Sequence, residues 1–202
     1  MPPADYMQRS LVGAWRLMTG KSDGLRLLDI SADGFWNSFF AILIALPPFF
    51  VSWVAIASDM AATPDFGGGR MSLILRLVVV DLGAWILPLV ALGLAASTIG
   101  LAGRYVHYVV ATNWASAIVV WIMLPTSLLR LLAPGAQDIA AGVSLGLFLL
   151  TLFLSWRVTN LAIGKGPAYA SGIFGGMIVI SLAVLLLLQE LLGLVPRDQI
   201  AG

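Results

Sequence analysis

MSLILRLVVVDLGAWILPLVALGLAASTIGLAG, residues 71–103, decides the class of this chain. The run is longer than the roughly 20 apolar residues that cross a bilayer as a helix. It also carries Arg76 and Asp81. Hydrocarbon penalises charge by about 3 kcal/mol or more, so an ionisable residue in a spanning helix is a functional candidate by default. Its meaning depends on its depth. At about 1.5 Å of rise per residue, a continuous helix puts Asp81 about 33 Å from Gly103, which is about one hydrocarbon thickness. With Gly103-Arg104 at the cytoplasmic boundary, Asp81 is expected near the outer interface and Arg76 in water or headgroups. The two residues then read as an end-of-helix anchor, in preference to a proton relay.

The rest of the composition agrees with a membrane protein. Of the 202 residues, 60% are hydrophobic and 10% are charged. Mean hydropathy is +0.98. Soluble domains carry about 25% charged residues, so this chain has too little polar surface to cover a water-soluble globule. A net charge of +1 gives no sign of a nucleic-acid partner. Without cysteine there are no disulfides or thiolate metal sites, and one histidine, His107, argues against a His-based metal centre or a Ser-His-Asp triad. No cofactor is expected.

Working outward, residues 1–34 are expected to form a cytoplasmic amphipathic segment. Met7, Leu11, Trp15 and Met18 recur at helical spacing over residues 5–19, and Gly20 stops the run. Basic residues beside Trp and Leu suit a helix in the headgroup layer; a cap docked on the bundle is the compatible second reading. No secretory signal is expected, because Arg9, Arg16, Lys21 and Arg26 are spread among apolar positions. Ser31-Ala-Asp33-Gly supplies N-cap chemistry ahead of Phe35-Trp36.

Five spans are expected within residues 35–192, followed by a short polar tail over 193–202. The first covers 35–57, where Pro47-Pro48 removes two backbone donors and calls for a kink, with neighbouring helices serving the freed carbonyls. A polar loop over 58–69 ends in three glycines. The opening segment is the second span. The third follows Arg104-Tyr-Val-His107-Tyr, runs through Asn113-Trp114 to Pro125, and extends to 128–132. The fourth covers 139–156 and the fifth 169–188. The fold class is therefore an all-α, polytopic transmembrane helical bundle.

Basic residues set the expected orientation. With the N-terminus inside, that side holds Arg9, Arg16, Lys21, Arg26, Arg104, Arg157 and Lys165, against Arg70, Arg76, Arg130 and Arg197 outside. This favours a cytoplasmic N-terminus and an outer C-terminus.

Small residues recur at four-residue spacing: Gly93 and Ser97, Gly142 and Gly146, and Ala168, Gly172 and Gly176. Such stripes let helices approach closely, and packing within the chain is the expected use, with homo-oligomerisation the other. Asn113, about 13 Å past Arg104, is expected to bond another helix. Ser116, Ser144, Thr151, Ser155 and Ser181 lack a titratable partner at helical spacing. No paired carboxylates or nucleophile–base arrangement appears, so an enzyme is not expected.

The join between the last two spans, Trp156 through Leu161-Ala162 and Gly164-Lys165 to Ala168, resembles that of the Yip-domain family of membrane proteins. The aromatic stretch from Tyr105 to Trp114 is similar too. The likeness covers roughly residues 35–192. It implies a five-span, non-enzymatic protein that acts through partner binding or membrane organisation. The rival expectations are a small transporter or channel subunit, carried by Asp81, Asn113 and the prolines, and an accessory subunit of a larger membrane complex. A bacterial inner membrane is the expected location, with the lipid bilayer and other membrane proteins as partners.

Overall fold

Pro47 and Pro48 interrupt the hydrogen-bond ladder of the first spanning helix without ending it. Pro48 leaves the Ile44 carbonyl without its usual donor four residues on. Trp121, from a helix distant in sequence, supplies one: its Nε1 donates to the Ile44 oxygen at 2.9 Å. The expected repair by a neighbouring helix is therefore present.

A computed structural model describes residues 2–62, 69–133, 135 and 137–195. Among these are seven α-helices and no strand: α1 (Ala4–Met18), α2 (Ala32–Ser38), α3 (Ala41–Ala61), α4 (Arg70–Ala95), α5 (Tyr105–Leu132), α6 (Gln137–Ile163) and α7 (Pro167–Leu191). Short 3-10 turns cover Ser22–Leu27 and Ala102–Arg104. Five stretches are long and apolar enough to cross a membrane: Ala32–Ala61, Arg70–Ala95, Ala102–Leu132, Asp138–Ile163 and Pro167–Leu191. The all-α bundle is as expected, and its outer surface is as apolar as an integral membrane protein requires: Phe50, Leu94, Leu145 and Val179 are all exposed. The first two glycines of the 67–69 run and the tail residues Pro196 and Arg197 lie outside the described residues.

The boundaries of α3 and α6 differ from expectation, and α5 takes the extension expected over 128–132. Helix α3 runs on through Ser58 to Ala61, into the stretch expected to be loop. Helix α5 passes through Pro125 without a break to Leu132. Helix α6 continues past Arg157 to Ile163, so the join to α7 shrinks to the turn Gly164–Gly166, where both glycines have positive φ.

The hub of the bundle is α5, not α4. It packs against α3, α6, α1 and α2, while α4 packs against α7 and α3. Val109, Val110, Ala111 and Trp114 of α5 are fully buried. Helix α1 gives its apolar face to this hub: Ala14, Leu17 and Met18 are fully buried against Trp114, Val158 and Ala162. The N-terminal helix is thus docked on protein, which leaves Val12 and Trp15 as its large exposed apolar side chains. Its end is fixed by a Schellman turn, with Lys21 N–H donating to Arg16 O at 2.8 Å and Gly20 N–H to Leu17 O at 2.9 Å. Gly20 has φ +85°, and any Cβ there would overlap the Arg157 guanidinium. Arg157 donates to the Thr19 carbonyl at 2.8 Å, latching the N-terminal segment to α6.

Candidate functional site

Helix α4 ends at Ala95, and this moves Asp81. After Ala95 the chain turns, with Leu101 N–H donating to Ala96 O at 2.7 Å and Gly100 at φ +70°. Asp81 lies only about 21 Å along the helix from Ala95 and about 16 Å from Arg70. It sits near the middle of α4. The continuous helix to Gly103 that placed it at the outer edge does not exist, because residues 96–101 are turn despite their apolar character.

Arg76 and Asp81 are not a pair. Five residues at about 100° each leave them about 140° apart around the helix. Arg76 points to the far end of α7, where a Cβ at Gly193 would lie 3.7 Å from its Nη1. Asp81 turns inward and accepts from the Trp53 indole, Nε1 to Oδ2 at 2.6 Å. Among the described residues, the one ion pair is Arg16 with Asp23.

The interior face of Asp81 opens on a cavity of about 360 Å³ to which all five spanning helices contribute. Phe49 comes from α3, and Asp81, Trp85 and Pro88 come from α4. Helix α5 adds Tyr108, Thr112, Asn113 and Ser116, α6 adds Ser155, and α7 adds Met177 and Ser181. Aromatic side chains brace the carboxylate's surroundings. Phe49 stacks on Trp53 at 5.5 Å and meets Trp85 edge-on at 6.0 Å.

Asn113 borders the same space and is 1% exposed. Its Oδ1 accepts from Trp85 Nε1 at 2.9 Å, and its Nδ2 donates to Ser38 Oγ at 2.8 Å. Ser38 in turn donates to the Phe35 carbonyl at 2.6 Å. An indole can only donate, so the amide's orientation is fixed by Trp85. The expected interhelical bond is present, and it ties α5 to both α4 and α2. The Thr112 hydroxyl is taken by the Tyr108 carbonyl at 2.7 Å. The hydroxyls of Ser116, Ser155 and Ser181 take no protein partner among the described residues. They leave polar capacity facing the cavity.

The small-residue stripes fare differently from expectation. A Cβ at Gly93 would lie 2.7 Å from the Tyr105 hydroxyl. Gly93 therefore makes a slot through which Tyr105 donates to Leu89 O at 2.8 Å; it does not bring two backbones together. Ser97 is exposed in the turn after α4. Gly142 and Gly146 on α6, and Gly172 and Gly176 on α7, are exposed, and a Cβ at each would meet nothing within 4 Å. Packing within the chain is not their use. The close approach of α4 to α7 is at Gly83, where a Cβ would lie 2.5 Å from Leu188 Cδ1.

Sequence reasoning missed the indoles of Trp53 and Trp85, each 28 residues from the polar group it serves. A signal was available: an indole N–H inside a span needs an acceptor, and Asp81 and Asn113 are the obvious ones. No family model, curated protein or solved structure matches this chain.

Proposed function

We propose that the protein is a small transporter or channel-type membrane protein whose working part is the interior cavity at Asp81. The observation that carries this reading is a carboxylate in the middle of a spanning helix, without a cationic partner among the described residues, facing a cavity that all five spans line. Hydrocarbon makes such a group expensive, and in spanning segments it marks ion or substrate paths. The decisive experiment is proton and solute flux in proteoliposomes with wild-type protein and Asp81→Asn. The reading expects flux in the wild type and its loss in the variant; no flux in either removes it.

A second reading rests on a separate observation. The glycines of α6 and α7 lie open on the outer surface beside exposed Leu145, Phe148 and Val179. Close-packing stripes of this kind serve helix association in membranes. They support a non-enzymatic protein that binds membrane partners, which is also what the Yip-domain likeness implies. Native purification followed by mass spectrometry tests it, and a free-standing monomer would count against it. On either reading the basic residues favour a cytoplasmic N-terminus and an outer C-terminus, and the Yip-domain likeness is what suggests a bacterial inner membrane.

A further inference from the structure

We propose that the cavity at Asp81 selects a small organic cation, with the carboxylate as counter-ion and aromatic rings as walls. The inference rests on the cavity being the working site and names what it takes. Charge comes first. No Lys, Arg or His lines the cavity, and Asp81 has no ion-pair partner among the described residues. Trp53 gives the carboxylate one hydrogen bond but no charge. An anion entering this space would meet a part-buried carboxylate without an ion-pair partner among the described residues, where repulsion is less screened than in bulk water. A neutral solute would leave the carboxylate as it is.

The walls point to an organic cation in preference to a bare metal ion. Phe49, Trp85 and Tyr108 border the space. Aromatic rings attract weakly hydrated ammonium groups through their quadrupoles. A hard metal ion instead needs about six oxygen ligands close around it. Among the described residues no three His, Cys, Asp or Glu side chains come together. The volume of about 360 Å³ is that of a small-molecule site. Ser116, Ser155 and Ser181 can accept from an N–H of the guest or orient the water that accompanies it.

The absence of cysteine makes the test direct. Ser181→Cys puts one thiol on the cavity in the full-length protein, reconstituted in nanodiscs. Its modification rate is measured with trimethylammonioethyl methanethiosulfonate, a fixed cation, and with sulfonatoethyl methanethiosulfonate, an anion. Ser97→Cys, in the exposed turn, is the reference. The cation-to-anion ratio at position 181 should exceed that at 97 by about tenfold or more, as focusing of one charge sign in a low-dielectric cleft does. Asp81→Asn, which keeps an acceptor for Trp53, should bring the ratio down to the reference; Asp81→Glu should retain it. Ser116→Cys repeats the measurement, so the outcome does not hang on one variant. A ratio at 181 and 116 equal to the reference with Asp81 present overturns cation selection and leaves the cavity reading standing. Folded variants in which neither reagent reaches either position overturn both.

Discussion

The inner face of α4 and α5 and the outer face of α6 and α7 use the same kinds of residue in opposite ways. Inside, the carboxylate and the amide each have a partner aimed at them: Asp81 has Trp53, and Asn113 has Trp85 and Ser38. Each glycine there is filled by a neighbour, Gly83 by Leu188 and Gly93 by Tyr105. Outside, Gly142, Gly146, Gly172 and Gly176 face open space at similar spacing. A glycine stripe therefore does not say which side of its helix is packed. What separates the two regions is polar content. A carboxylate, an amide and several hydroxyls converge inside, and the glycines of the outer face stand among exposed apolar side chains such as Leu145, Phe148 and Val179.

The strongest way to break this contrast is at Asn113. Asn113→Leu leaves the part-buried Trp85 N–H with no protein acceptor and removes the donor to Ser38, at a cost of about 1–3 kcal/mol. It should show as a large loss of thermal stability of the purified protein in detergent. Tolerance of leucine would mean that the polar network does not hold the bundle. Next come the glycines. Gly83→Val drives a side chain into Leu188 and should destabilise by about 1–3 kcal/mol, whereas Gly176→Val at the open face should change monomer stability by about 0.5 kcal/mol or less. Equal effects at the two positions would erase the distinction between packed and open glycines.

The smallest effect expected is at the N-terminal cap. Burial, and then the nearby Asp29 carboxylate, push the Tyr6 phenol above its ordinary value of 10.0. The folded state thus favours the neutral phenol. Its contribution is complete below that ordinary value and is lost as pH rises through the raised one. Proteolysis of α1 should accelerate over that alkaline range in the wild type and not in Tyr6→Phe. The same slope in both would remove Tyr6 as its cause.

Much of this architecture was legible in the sequence. Hydropathy located five spans, because apolar length is a direct consequence of bilayer thickness. The proline pair correctly called for a donor from another helix, and Asn113 for a partner. The depth of Asp81 was not legible. Residues 96–101 are apolar enough to pass as helix, and only Gly100 at φ +70° and the turn it closes reveal where α4 stops. The direction of each glycine stripe was equally hidden, since it depends on which neighbour each helix meets. Trp53 and Trp85 were not singled out, although their N–H groups decide the polar geometry.

The central claim is that Asp81 lies inside the bundle, held by Trp53, and is not an anchor at the membrane edge. The indole N–H signals of protein labelled with nitrogen-15 tryptophan test it directly, once each is assigned by single Trp→Phe replacement. The Trp53 signal should be protected from solvent exchange and should move in Asp81→Asn, while that of exposed Trp36 stays in place. A Trp53 signal that exchanges as freely as that of Trp36 and is indifferent to Asp81→Asn would contradict the account.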